Sequence, residues 1–245
     1  MQRCRLESCV RIRDIITLSG LSRPQAQHVV ASVAPNRDPR LTLSHTRRVL
    51  LVLVWLRTNL TQRGLAAIFG VSQATVHRTI TAVLPTVAAL HPNRIPDDPA
   101  HLFLDGTLIP VHDQTRAAKS KNYRRSINTQ IACDHRRRIV FIGRAFPGNR
   151  NDIVVARATV PTGRRFVTDG AYRTFPGATT PPPKTQPRQR RRHIRVRARA
   201  EHTIARFKDW ATMRWLRYRG DTIDHALQAV AYLHNLRMGH INPQK

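Results

Sequence analysis

The sequence predicts an α/β chain, α+β overall, with a helical domain over residues 1–92, a linker at 93–100 and a mixed strand-and-helix domain over 101–245. Three observations carry this. Apolar residues recur at helical spacing as far as Leu90; Pro92, Pro96 and Pro99, with Asp97 and Asp98 between them, then break every regular pattern; and from His101 onward short apolar runs of strand length take over. A chain of 245 residues with 41% hydrophobic content can bury one sizeable core with a smaller domain beside it.

Within the first domain, Ile12, Ile15, Ile16 and Leu18 suit one short helix and Ala26, Val29, Val30 and Val33 a second, with Pro24, Pro35 and Pro39 as punctuation. From Ser44, an expected N-cap, to Leu56 the apolar residues are too dense for one face, so a helix buried on most sides is expected there. The next stretch is more specific. Thr61 can start a short helix that breaks at Gly70, and Ser72 can cap a second one, giving a helix-turn-helix over about 61–83. Ala66 is small where two helices would cross, Gly70 suits a tight turn and Val76 would pack the second helix onto the first. In such a motif Gln73, Thr75, His77 and Arg78 stand on the early part of the recognition helix, within reach of base edges or phosphates. An ordinary helical hairpin is the competing reading.

The second domain opens with a buried strand, His101 to Pro110, interrupted by Asp105. Ser126–Cys133 and Arg138–Ala145 read as two more strands joined through Asp134-His-Arg-Arg, and Asn151-Asp152 opens a helix through Ala158. Arg165–Tyr172 reads as a fourth strand that ends on Asp169 and Gly170. Residues 176–199 hold Pro181-Pro-Pro and then eight Lys or Arg from Lys184 to Arg199 with no acid, which reads as a solvated basic loop before a helix carrying Glu201. A last amphipathic helix, capped by Asp221, would bury Ile223, Leu227, Val230 and Leu233.

Charge narrows the partner. Forty-two Lys and Arg against 14 Asp and Glu give +28, and the sequence pI is near 11.8, which suits a polyanion and above all nucleic acid. A membrane-surface protein would need a basic amphipathic helix or a lipidation motif, and neither end carries one. The N-terminus lacks the apolar core of a secretory signal, and the longest apolar run, Val49 to Leu56, is eight residues, so a cytoplasmic, nucleoid-associated protein is expected, with no membrane partner. Cys4, Cys9 and Cys133 form neither an even framework nor a zinc spacing and read as free thiols.

Three acids share one logic. Asp105 interrupts an apolar strand, Asp169 ends one, and Glu201, one of only two glutamates with Glu7 the other, sits in an arginine-rich helix. A carboxylate in a buried strand is costly without a partner, and a divalent metal is one such partner. Oxygen ligands from separate elements suit Mg²⁺, with Mn²⁺ as the alternative, and two such ions would activate an attacking hydroxyl and stabilise the leaving oxygen of a phosphodiester. Each acid also has a bland reading: Asp105-Gly and Asp169-Gly as turn residues, Glu201 as a salt-bridge partner and Asp152 as a helix cap. His101, His112 and His202 show no metal spacing, although His202 beside Glu201 is placed to touch a substrate.

Taken in order, Leu104-Asp105-Gly106-Thr107, Pro147-Gly148-Asn-Arg-Asn151-Asp152, Thr168-Asp169-Gly170-Ala-Tyr172 and Arg199-Ala-Glu201-His-Thr-Ile204-Ala-Arg-Phe-Lys208-Asp-Trp resemble bacterial insertion-sequence transposases of the DDE superfamily. The resemblance runs from about Leu41 to Met238. It implies a helix-turn-helix followed by an RNase H-like catalytic domain, with Asp105, Asp169 and Glu201 as the metal-binding catalytic triad and Asp152 as a common acid outside it. The implied activity is cleavage at terminal inverted repeats and joining of 3′-hydroxyl ends to target DNA, by a protein that self-associates on paired ends. Arg197, Arg199, Arg206 and Lys208 then become candidates for gripping phosphates near the metal. The stretches 158–165 and 172–199 are shorter than in the family. Three alternatives stand beside this reading: a DNA-binding regulator, a decayed and inactive transposase copy, and a nuclease on the same fold that cuts without joining. A pure binder has no need of three such acids together, which sets it apart from the enzymes.

Overall fold

A computed structural model describes residues 11–35, 42–95 and 101–242; Cys4, Glu7, Cys9, Pro39 and the linker residues Pro96 to Pro99 lie outside these. The helical part contains α1 (Ile12–Ser19), α2 (Arg23–Ser32), α3 (His45–Thr58), α4 (Gln62–Phe69) and α5 (Gln73–Ala88). Each of the last three starts where a hydroxyl can cap it: Ser44, Thr61 and Ser72 accept from the backbone N–H three residues on. Val49 to Leu56 of α3 are all buried, so this helix is the centre of the helical part. Gly70 closes α4 with φ 67°, a left-handed conformation for which glycine is the least strained residue. The helix-turn-helix is therefore formed as its sequence predicts, with Val76 fully buried behind the turn.

The second part is one mixed sheet with helices on both faces. Its strands are β1 (Leu102–Pro110), β2 (Ser126–Cys133), β3 (Ile139–Ile142), β4 (Phe146–Pro147), β5 (Phe166–Val167) and β6 (Ala178–Thr179), and its helices are α6 (Asp152–Thr159), α7 (Pro187–Phe207) and α8 (Thr222–Arg237). The order is β3-β2-β1-β5-β6, with β4 on β2; β1, β2 and β3 pair antiparallel, while β5 joins β1 in parallel and β6 joins β5 in parallel. Period-two alternation sends Leu102 and Leu104 of β1 toward α6, in a cluster with Ala156 and Val160, and sends Phe103 toward Ala200 and Val196 of α7. The α7 face continues into Ile109, Ile127 and Ile131, which share one core with α3, α5 and α8.

The helical part and the sheet are thus joined by a continuous apolar core, and the segment after α5 is strapped to β3. Asn93 exchanges two hydrogen bonds with the backbone of Ile142, at 2.8 and 3.1 Å, and Asn235 of α8 does the same with Ile139, at 2.8 Å each. Side-chain amides therefore satisfy backbone groups that an edge strand would otherwise leave open.

Four expectations change. Residues 187–199 are helical, so the basic stretch is largely the first half of α7 and Glu201 lies near the end of a 21-residue helix rather than at its start. Arg is a good helix former, and Val196, Ala200, Thr203 and Phe207 supply the apolar stripe that docks it. The fourth strand is only Phe166–Val167, because the Asp169 carboxylate accepts from the Ala171 N–H and turns the chain into a 3-10 turn over Gly170–Tyr172. Gly106 lies inside β1 and not in a turn. Asp221 precedes α8, but its side chain makes no capping hydrogen bond.

Candidate active site

Pairing of Leu102 with Phe166 and Phe103 with Val167 fixes the register of two parallel strands. Two residues further on, Asp105 lies on the α7 face of β1, where it meets Arg197, and Asp169 follows the end of β5, close enough for its charge to act on Asp105. Glu201 comes from α7 itself. Its carboxylate accepts from the Nη2 of Arg197, one helical turn earlier, and the same guanidinium donates through Nη1 to Asp105 Oδ2 at 3.0 Å. Arg197 therefore stands between two of the three acids, and its side chain is only 20% exposed. As the side chains stand, the described residues contain no group of three or more His, Cys, Asp or Glu arranged to hold a metal ion.

Electrostatics mark Asp105 as the strained member. Its pKa is pushed up to about 6: burial is the largest cause, Arg197 opposes it, the negative charge of Asp169 adds to it, the Gly106 N–H opposes it, and Asp152 adds again. A carboxylate pushed up in this way gains from any further cation brought to it. Glu201 is half-exposed, and Asp169 is part-exposed at the strand end, so both are accessible from solvent.

Asp152 occupies a different place. It opens α6 on the opposite face of β1, where its Oδ1 accepts from Asn128 Nδ2 at 2.8 Å and Gln130 Nε2 at 3.4 Å. Gln130 is fully buried and accepts in turn from the Tyr172 hydroxyl at 2.5 Å. Asp152 is tied into this network through strand side chains; its role as a simple helix cap is not what its bonds show. A Cβ added at Gly106 would lie 2.7 Å from the Asp152 Cγ and 2.9 Å from the Gln130 Nε2, so the glycine after Asp105 is there to admit this carboxylate against the strand. Asn128, Gln130 and Tyr172 carried no sequence signal as a set, beyond being polar groups in an apolar strand.

Of the other basic candidates, the Arg199 guanidinium lies over the Phe103 ring at 5.6 Å, and Lys208 donates to the Leu108 carbonyl at 2.9 Å, with burial lowering its pKa. Arg206 is exposed beside Met238. On α5, Gln73, His77 and Arg78 are exposed, whereas Thr75 is buried and its hydroxyl is engaged with Ser72, which takes it off the exposed face.

Comparison with known proteins decides the family. Residues 42–92 match the helix-turn-helix of DDE superfamily endonuclease, and residues 104–235 match the DDE superfamily endonuclease itself. A protein of Streptomyces albus G, named for a proposed role as transposase of insertion sequence element IS112, is 38% identical over 207 residues, 78% of this chain and 79% of the relative. The chain belongs to the DDE superfamily of insertion-sequence transposases. No solved structure matches it at a significant level. Membership makes it a DNA-binding protein of a nuclease and transposase class that uses divalent metal. No helix among the described residues is long and apolar enough to cross a membrane.

Proposed function

We propose that this transposase binds the terminal repeats of its element through α4 and α5, and cuts and joins DNA strands at a site built from Asp105, Asp169 and Glu201. The observation that supports the reading best is that Asp105 and Asp169 follow the paired ends of β1 and β5 closely enough to feel each other's charge, with Glu201 linked to Asp105 through one guanidinium. The donor set is all oxygen and comes from three separate elements, which fits hard divalent ions, with Mg²⁺ first and Mn²⁺ as the alternative. Bound there, two such ions would supply Lewis-acid activation of the attacking hydroxyl and stabilisation of the leaving oxygen.

The chain's own residues have three tasks. Asp105, Asp169 and Glu201 hold the site together; Arg197 carries the positive charge between the acids until another cation arrives; Arg199 and Lys208 are fixed near β1 by the Phe103 ring and the Leu108 carbonyl. His202, exposed beside Glu201, faces solvent where the strand would lie. Asp152 is assigned the support of β1 behind Asp105. Work on paired ends implies self-association, which we place in the same proposal.

Two outcomes follow. A labelled duplex carrying the element's end, incubated with Mg²⁺ and target DNA, should yield joined products that vanish with a chelator; cut ends that never join would leave a nuclease instead, and no cutting at all would leave a DNA-binding protein. Arg197→Ala should tighten Mn²⁺ binding, read by titration without DNA, because the ion no longer displaces an ion pair. Weaker or unchanged binding would mean that Arg197 does not compete for the site.

A further inference from the structure

The exposed face of α5 does not look onto open solvent alone. A groove of about 610 Å³ separates it from a segment of the catalytic part, and the groove is lined by Arg63, Gln73, His77, Arg217, Tyr218 and Arg219 among others, with no carboxylate in its wall.

The far wall is bonded to both the sheet and the helical part. On the sheet side, the Leu216 N–H donates to the Pro110 carbonyl at 2.9 Å and the His112 N–H donates to the Leu216 carbonyl at 2.8 Å, so the segment runs alongside the end of β1. On the helical side, Asn59 Nδ2 donates to the Trp215 carbonyl at 2.5 Å. Tyr218 packs edge-on against the buried Trp55, with ring centroids 4.7 Å apart, and stacks with His77 at 6.1 Å and 11°. Gln62 Nε2 lies 2.9 Å from the Tyr218 hydroxyl and 3.3 Å from His77 Nδ1. With Leu216 buried and Tyr218 turned inward, alternation leaves Arg217 and Arg219 pointing out on either side. Arg217 has no ion pair among the described residues, and Arg219 has only the nearby charge of Asp113.

We propose that Arg217–Arg219 is a second DNA-contacting element, and that it forms one groove with α5 that takes the phosphodiester backbone of duplex DNA beside the base edges met by Gln73 and Arg78. The inference rests on α5 being the recognition helix and extends that reading to the catalytic part. Its chemistry is simple: guanidinium groups for phosphate oxygens, in a groove whose lining holds no carboxylate, on a wall bonded to both the sheet and the helical part. Because that wall is bonded to the end of β1, DNA seated in the groove is held at a fixed distance from Asp105.

The test is fluorescence anisotropy of the full chain on a labelled mixed-sequence duplex over a salt series. The double variant Arg217→Ala/Arg219→Ala should bind about tenfold more weakly, and the slope of log K against log salt should fall by about 2, one for each lost phosphate contact. The control Arg13→Ala/Arg23→Ala, which removes the same charge from exposed positions on α1 and α2, should change the slope by clearly less. Unchanged binding overturns the proposal, as does an equal effect of the control pair. Tighter binding by the double variant overturns it too, because the segment would then be masking α5. Arg78→Ala, run in parallel, separates the two readings: if it weakens binding while Arg217→Ala/Arg219→Ala does not, the helix-turn-helix stands and the groove falls. If neither has an effect, both fall.

Discussion

Asp105→Asn is expected to reduce strand cleavage by about a thousandfold or more, with duplex binding unchanged. Asparagine keeps the size and one carbonyl oxygen of the aspartate but not its charge, and a metal-assisted site loses several kcal/mol of transition-state stabilisation when a ligand of this kind is neutralised. The same substitution has a distinct signature in stability. In the folded chain Asp105 holds its proton up to about pH 6, against an ordinary value of 3.8, so folding favours the protonated form. The stability this group confers is present below about 3.8 and is lost as pH rises through about 6. At pH 7 the charged carboxylate is a net cost of up to roughly 3 kcal/mol, which Asp105→Asn removes. Denaturation midpoints measured between pH 4 and 7 should therefore fall with pH more steeply in the wild type than in the variant. An inactive variant that is also less stable at pH 7 would point to a structural role for Asp105.

Gly106→Ala is expected to cost about 2–4 kcal/mol of stability in urea unfolding, more than a single methyl group usually costs. Its φ is not in the left-handed region, so the strain is not conformational. The new Cβ would press on Asp152 and on Gln130 Nε2, and these are bonded to Asn128 and Tyr172, so moving one partner leaves others unpaired in a buried place. The double variant Gly106→Ala/Asp152→Ala should recover part of the loss, since removal of the carboxylate makes room for the methyl. Strictly additive costs would show that Gly106 and Asp152 do not meet in this way.

Much of this is legible in the sequence. The helix-turn-helix could be placed because hydroxyl caps and Gly70 sit at the spacing the motif needs, and the two aspartates because a polar residue in an apolar strand stands out. The helical character of 187–199 is masked by the eight basic residues from Lys184 to Arg199 and the three prolines before them, which obscure the stripe Val196, Ala200, Thr203 and Phe207. Arg197 could not be singled out, since it is one arginine among many and its importance comes from a partner 92 residues away. The Asn128–Gln130–Tyr172 network is hidden for a similar reason: Asn128 and Gln130 lie on β2 while Tyr172 follows β5, and only the strand order β2-β1-β5 brings them together. The inward turn of Thr75 follows helical spacing, since Thr75, Thr79 and Val83 are buried at successive turns of α5, and its polar side chain is what sets it among the exposed candidates. The shared core between the helical part and the sheet is not legible either, because the proline-rich linker marks a domain boundary while α3, α5 and α8 bury one another across it.

On this proposal Asp105, Asp169 and Glu201 form one metal site when DNA is present. The most direct measurement is a crystal structure with Mn²⁺ and a duplex element end, located by anomalous scattering. The predicted result is Mn²⁺ bound between the Asp105 and Asp169 carboxylates, with Glu201 drawn toward it and Arg197 turned off Asp105. Duplex bound with no ion at that position, and with Arg197 still paired to Asp105, would contradict it.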